Sequence, residues 1–74
     1  MERQQKLGSF LKDLRLRAGL TERSMALSLQ RNSAFIRAYE SGRASLTLYE
    51  LETVAEIIGV TLTQLLSEYE RLPK

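Results

Sequence analysis

Arginines are grouped in the first part of this chain, and their guanidinium groups bind phosphates and base edges well. Through Arg43 there are nine Lys/Arg against four Asp/Glu, a net charge of +5. From residue 44 onward two Lys/Arg stand against five Glu, a net charge of −3. A basic front and an acidic back suit a protein that docks one face on a polyanion, although many small domains show some imbalance.

Other chemistries find little support in the composition. The 74 residues include no cysteine and no histidine, which excludes disulfides, thiolate nucleophiles, the usual zinc ligands and the commonest general base. Glu50, Glu52 and Glu56 could supply an acid–base pair. However, Glu52 and Glu56 lie one helical turn apart on a face expected to be exposed, without a pocket-forming segment. We therefore expect no enzyme activity, no metal and no cofactor.

The polar N-terminus is not followed by an apolar signal segment. No run approaches the roughly 18 apolar residues of a membrane span. These features predict a cytoplasmic protein without a membrane partner.

The stretch from Gly19 to Gly42 has the pattern of two short helices separated by about four residues. Ala26 places a small residue where two helices must cross closely. Ile36 and Tyr39, three apart, face inward and leave Ser33, Ala34, Arg37 and Ala38 pointing elsewhere. A helix-turn-helix presents a helix to the DNA major groove in this way.

Apolar periodicity predicts five helices in one small domain over residues 1–74, without a convincing strand. Gly19, Gly42 and Gly59 follow apolar segments, where a left-handed helix end favours glycine. We expect the later helices to be capped by Thr21, Asn32 or Ser33, Thr47 (with Glu50) and Thr61 (with Gln64). Gly8 should weaken the first helix by roughly 1 kcal/mol relative to alanine. The expected core residues are Leu7, Phe10, Leu11, Leu14, Ala18, Met25, Ala26, Leu29, Ile36, Tyr39, Leu51, Val54, Ala55, Ile58, Leu62, Leu65, Leu66 and Tyr69.

Residues 7–66 resemble the XRE family, the helix-turn-helix domains of phage Cro and repressor proteins. The resemblance rests on four pieces in the right order and at the right separations: RLRAGLT (15–21), MA (25–26), YESG (39–42) and VAEIIGV (54–60). It implies an all-α fold, a compact five-helix bundle of the lambda-repressor-like type. In that fold the helix-turn-helix would span about 21–41, with the recognition helix at about 33–41.

The resemblance also implies a set of DNA-contacting residues. Base contacts are expected from the recognition helix, at Ser33, Ala34, Phe35, Arg37 and Ala38. Phosphate contacts are expected from Arg23, Arg31, Asn32, Arg43 and Thr47, with Arg43 the strongest candidate because the loop after the recognition helix runs along the DNA backbone in relatives. Family members often pair the residues at the positions of Arg15 and Glu40, which would tie the first helix to the recognition helix.

Two departures from the family concern the second helix and its turn. Glu22 stands where many members have a glutamine that holds a phosphate, so this anchor is weakened or is replaced by Arg23. Gln30 stands where glycine is usual. If the left-handed conformation is kept there, it costs on the order of 1–2 kcal/mol, and otherwise the turn is remodelled.

A third departure concerns the recognition helix, which is poor in hydrogen-bonding groups. Ala34 and Ala38 offer only methyl contacts, so Arg37 is the one long donor. Phe35 could contact a thymine methyl or a sugar. Because it lies four residues before Tyr39, it could instead cover the rim of the core.

Spare apolar surface in the C-terminal part predicts a homodimer. Adjacent helical residues point about 100° apart, so Ile57 and Ile58 cannot both face one core. We expect the dimer contact within residues 57–72, although the first helix could cover this surface instead. The residues concerned are Ile57, Leu62, Leu66 and Tyr69.

These features together predict a sequence-specific transcription regulator, binding double-stranded DNA as a homodimer with two operator half-sites. Its size resembles that of Cro-like repressors, controller proteins of restriction–modification systems and antitoxins. The alternative is a protein-interaction module, an antitoxin or co-regulator with a protein partner, that keeps the fold but does not read DNA alone. Glu22 and the alanine-rich recognition face motivate this alternative.

Overall fold

The computed structural model describes residues 2–73, with side chains from residue 4 onward. This part of the chain forms five α-helices and no strand, which confirms the all-α prediction. The helices are α1 (Glu2–Arg17), α2 (Glu22–Leu29), α3 (Ser33–Glu40), α4 (Leu48–Ile58) and α5 (Leu62–Glu70). None of these described helices has the length and apolar character needed to cross a membrane.

Side chains cap the starts of α2 to α5 and explain why the helices begin where they do. The capping residues are Thr21, Asn32, Thr47 and Thr61, so the cap of α3 is Asn32. The capping boxes expected at Thr47 and Thr61 are confirmed. A further box joins Thr21 to Ser24, where a serine takes the place of the usual glutamate. Each cap satisfies a backbone N–H that the first turn leaves without a helical partner.

One hydrophobic core joins all five helices. Its buried apolar residues are Phe10, Leu11, Leu14, Met25, Ala26, Ile36, Tyr39, Leu51, Val54, Ala55 and Leu65. Leu7, Leu29, Ile58, Leu62 and Tyr69, also expected there, are partly buried and pack against this cluster.

Two residues expected in the core are exposed. Ala18 lies in the turn after α1, because the helix ends at Arg17, and the predicted stripe therefore extends one position too far. Leu66 retains 36% of its surface because α5 turns Leu65 toward the core instead.

Gly8 allows α1 to cross very close to the end of α3. A Cβ atom at this position would lie 2.5 Å from the carbonyl oxygens of both Tyr39 and Glu40. Sequence reasoning gave Gly8 only a cost in helix propensity. The crossing shows that a larger side chain cannot be accommodated without moving backbone.

Gln30 ends α2 in the left-handed conformation, with φ 59° and ψ 40°. The turn is therefore not remodelled, although it lacks glycine. The N–H of Arg31 donates to the carbonyl of Ala26 at 2.9 Å, which closes the end of α2 and directs the chain into α3.

Candidate nucleic-acid interface

The crossing of α2 with α3 fixes the orientation of α3, the candidate recognition helix. Met25 of α2 and Ile36 of α3 are fully buried, and Ala26 is 3% exposed. The small side chain of Ala26 permits the close crossing. On the opposite side of α3, Ala34 and Arg37 are exposed, whereas Ser33 and Ala38 are half-buried. The outward surface of α3 therefore offers one methyl group and one long hydrogen-bond donor.

A buried ion pair holds the end of α3 against α1. Arg15 Nε donates to Glu40 Oε2 at 2.7 Å, and Arg15 Nη2 donates to Glu40 Oε1 at 3.1 Å. The two side chains are only 5% and 4% exposed. Hydrogen bonding to Glu40 raises the pKa of Arg15, although burial opposes this shift.

Arg15 makes a third contact that sequence reasoning missed. Its Nη1 donates to the carbonyl of Leu20 at 2.8 Å. One guanidinium thus joins α1, the turn before α2 and the last residue of α3. No local pattern signals this bond, because a backbone carbonyl carries no residue-type information.

Arg37 is held by Glu22, the first residue of α2. Arg37 Nη1 donates to Glu22 Oε1 at 3.1 Å, and the side chains are 55% and 36% exposed. Glu22, which replaces the usual glutamine of the family, therefore contacts Arg37, the single long hydrogen-bond donor of α3. Sequence reasoning treated them separately. Their opposite charges on two crossing helices are the signal that could have joined them.

Arg31 has two partners within the protein. Its Nη1 donates to Glu50 Oε2 at 3.0 Å, and its guanidinium carbon lies 3.8 Å from the centre of the Phe35 ring. Phe35 in turn contacts Tyr39 edge-on, with ring centroids 5.5 Å apart. Phe35 therefore covers the rim of the core and supports Arg31, which is the structural alternative considered for it.

The N-terminus of α4 already holds a carboxylate. Glu50 Oε1 accepts from the Thr47 N–H at 2.8 Å. This backbone hydrogen bond lowers the pKa of Glu50, and burial opposes it in part. The nearby Arg31 guanidinium adds a smaller lowering effect. Arg31 and Thr47, both expected at phosphates, are thus engaged by Glu50 in the free protein.

The remaining phosphate candidates flank α3. Arg23 lies in the first turn of α2, and Arg43 follows the end of α3. Both are exposed, and the ion pairs among the described residues involve neither. Arg43 Nε donates to Ser41 Oγ at 3.0 Å, which keeps it near the helix end. Asn32 is exposed, but its Oδ1 caps α3 by accepting from the Phe35 N–H at 2.9 Å.

The candidate dimer surface is partly covered by α1. The rings of Tyr69 and Phe10 lie 5.4 Å apart, and Lys6 Nζ lies 5.4 Å from the centre of the Tyr69 ring. Ile57 and Leu62 are half-buried. Leu66 is the most exposed of the four predicted residues.

Comparison with known proteins supports the relationship that the motifs indicate. A family model described as a helix-turn-helix domain matches residues 6–67. No curated protein sequence matches the chain significantly. Two crystal structures of the clp gene regulator ClgR from Corynebacterium glutamicum are similar in fold, with TM-scores of 0.82 and 0.81. Each is 24% identical and covers 90% of this chain, which corresponds to 71% and 86% of the respective ClgR chains. Because the family match includes most of the described helices, the chain belongs to the family of helix-turn-helix domains.

Proposed function

We propose that this protein is a sequence-specific DNA-binding transcription regulator that acts as a homodimer on an operator with two half-sites. The observation that carries the proposal is the presentation of α3. The buried Arg15–Glu40 pair and the crossing with α2 fix this helix, and its outward face carries Ala34 and Arg37. ClgR, which shares the fold, is described as a gene regulator.

Base reading is assigned to α3. The Arg37 guanidinium can grip O6 and N7 of a guanine, which provides about 1–3 kcal/mol of discrimination against other bases. Ala34 can contact a thymine methyl group. A helix of 8 residues is about 12 Å long, so one domain reads only a few base pairs.

Backbone binding is assigned chiefly to Arg43 and Arg23, which flank α3. Such contacts position a protein on the duplex without carrying sequence information. They also make affinity fall steeply with salt, because each neutralised phosphate releases counterions. Regulation then follows from occupancy, since a bound protein blocks or recruits polymerase.

Dimerisation is assigned to the C-terminal surface around Leu66. Two copies would place their recognition helices in successive major grooves, about 34 Å apart. Analytical ultracentrifugation of the wild type and Leu66→Lys tests this assignment. The control is Leu27→Lys, which changes an exposed leucine on a different helix, α2. We expect only Leu66→Lys to weaken self-association. A wild type that stays monomeric both free and on its operator would contradict the dimer.

The DNA proposal is tested by selecting bound duplexes from a random pool at near-physiological salt. We expect enrichment of a short inverted repeat with half-sites about one helical turn apart. Arg37→Ala should relax the preference at one base pair per half-site. Arg43→Ala should weaken binding to all sequences and reduce the salt slope by about two, one for each protomer of the dimer. Lys12→Ala, at an exposed position of α1 outside residues 57–72, removes the same charge and should have little effect.

Two arginines of the candidate DNA-binding surface form ion pairs with glutamates. This pairing favours a second candidate function, a module that binds a protein partner. Arg37 and Arg31 are engaged by Glu22 and Glu50, which makes the face less positive than its arginine count suggests. If no sequence is enriched, and if Leu66→Lys abolishes cellular activity while Arg37→Ala and Arg43→Ala leave it intact, this second function is the correct one.

A further inference from the structure

Two arginine–glutamate pairs reach α3, and they differ in the part of the arginine that they use. Arg15 grips Glu40 with Nε and Nη2, the two nitrogens on one edge of its guanidinium. Arg37 contacts Glu22 through Nη1 alone. The edge formed by Nε and Nη2 of Arg37 therefore has no hydrogen-bond partner among the described residues. This is the edge that can bind two acceptors side by side.

We propose that Glu22 is a positioning residue that holds Arg37 by Nη1 and thereby directs its free edge toward one guanine of the operator. This inference rests on the proposed function. Glu22 would thus determine specificity at a base pair that it does not itself touch.

The geometry of the two helices supports this role. Glu22 is the first residue of α2, and Arg37 is the fifth residue of α3, so the contact spans the angle between the two helices. A long arginine side chain has many rotamers, and an arginine held in one orientation loses less freedom when it binds a base. The two acceptors O6 and N7 of guanine match the free edge of the guanidinium, whereas a second carboxylate partner is absent from the described contacts.

The Arg37–Glu22 pair is also exposed enough for Arg37 to reach a base. Arg37 and Glu22 are 55% and 36% exposed, against 5% and 4% for Arg15 and Glu40. The inner pair is part of the fold, whereas the outer pair lies where DNA would approach. A surface pair changes an equilibrium constant by a factor of only about 1.5 to 5, so removing Glu22 should leave the protein folded.

Glu22 has a second effect that must be separated from positioning. Its negative charge near the DNA backbone repels phosphate, so its removal should raise affinity for every sequence. Positioning instead changes the preference between sequences. The two effects are distinguished by measuring preference and non-specific affinity on the same variants.

The experiment measures dissociation constants by fluorescence anisotropy at one salt concentration. The duplexes are the selected operator, its three variants at the base pair that Arg37→Ala relaxes, a matched variant at another base pair, and non-specific DNA. The proteins are the wild type, Glu22→Ala, Glu22→Gln, Arg37→Ala and the double variant Glu22→Ala/Arg37→Ala. Glu56→Gln, an exposed charge on α4 outside the ion pairs of the described residues, is the charge control.

We expect Glu22→Ala to reduce the preference for guanine at that base pair about three- to tenfold, out of the roughly 5- to 150-fold that a bidentate contact provides. The preference elsewhere should not change. Glu22→Gln should keep part of the preference for guanine at the base pair that Arg37 reads, because its amide oxygen still accepts from Arg37. In the Arg37→Ala background, Glu22→Ala should cause no further loss of this guanine preference. Both Glu22 variants should bind non-specific DNA more tightly than the wild type. The gain in affinity for Glu56→Gln should be much smaller.

Two results would overturn the inference while leaving the proposed function standing. The first is a wild type with a clear operator whose guanine preference is unchanged in Glu22→Ala. The second is an equal loss of preference at all base pairs, which would indicate a general disturbance of the fold. If the wild type itself shows no sequence preference, the proposed function fails, and the inference fails with it.

Discussion

Arg15 and Glu40 are 25 residues apart in sequence, yet they form a two-point ion pair that is almost completely shielded from solvent. The pair lies where α1, the turn before α2 and the end of α3 meet, because Arg15 also donates to the carbonyl of Leu20. Each charge in such a place depends on the other, since an unpartnered buried charge is strongly unfavourable. The position of α3 therefore depends on both residues.

Breaking this pair should destabilise the protein severely. We expect Arg15→Ala or Glu40→Ala to lower the free energy of unfolding by about 3–5 kcal/mol, because either change leaves one buried charge without its partner. Urea unfolding followed by circular dichroism measures the change. Arg37→Ala breaks an exposed pair and should lose less than about 1 kcal/mol. Equal losses in the inner and outer pairs would contradict this explanation.

Gly8 provides a test in which propensity and packing predict opposite signs. Alanine in a helix interior is favoured over glycine by about 1 kcal/mol. However, the Cβ of Gly8→Ala would lie 2.5 Å from two backbone carbonyl oxygens of α3. We expect Gly8→Ala to destabilise the protein by about 2 kcal/mol or more, because overpacking against backbone cannot be relieved by a rotamer change.

Thermal unfolding of Gly8→Ala and Gly19→Ala gives a matched comparison. A Cβ at Gly19 would meet nothing within 4 Å, so the cost there comes from its φ of +75° alone, about 1 kcal/mol. If Gly8→Ala stabilises the protein, the close crossing of α1 and α3 is wrong.

The sequence predicted what local patterns determine. The caps at Thr47 and Thr61 follow from residue types three positions apart, and the buried face of α4 follows from its periodicity. Periodicity failed at element ends, where Ala18 falls in a turn.

Contacts across the fold were beyond these patterns. The approach of Gly8 to α3 and the pair of Arg31 with Glu50 depend on how helices cross, and crossing geometry has no signature in a local window. The Glu22–Arg37 pair is a similar case. Sequence reasoning singled out Glu22 as a departure from the family and Arg37 as the one long donor, but it did not bring the two together.

The stability of the α4 N-terminus should depend on acidic pH through Glu50. Hydrogen bonding from the Thr47 N–H holds the pKa of Glu50 below its ordinary value of 4.5. A carboxyl with a depressed pKa in the folded state stabilises the protein above the unfolded pKa, and this stabilisation is lost as the pH falls through the folded pKa. We therefore expect the stability advantage of the wild type over Glu50→Gln to be present at pH 6 and to disappear well below pH 4.5.

Urea unfolding at several pH values between 3 and 7 measures this difference. Glu50→Gln is a suitable reference because glutamine keeps an oxygen that can accept from the Thr47 N–H. In the Arg31→Ala background the pH dependence should persist, because the backbone hydrogen bond is the larger cause of the shift. A difference that does not vary with pH would contradict the contribution of Glu50.

Gln30 should be a site where one substitution stabilises the protein. Its left-handed backbone, with φ 59°, is unfavourable for a residue with a Cβ and favourable for glycine. We expect Gln30→Gly to raise the free energy of unfolding by about 0.5–1 kcal/mol, since relief of the strain exceeds the extra entropy that glycine gains in the unfolded chain. Gln30→Ala, which keeps the Cβ, should bring no such gain. Thermal unfolding of both variants beside the wild type measures the effect, and a less stable Gln30→Gly would mean that the Gln30 side chain itself supports the turn between α2 and α3.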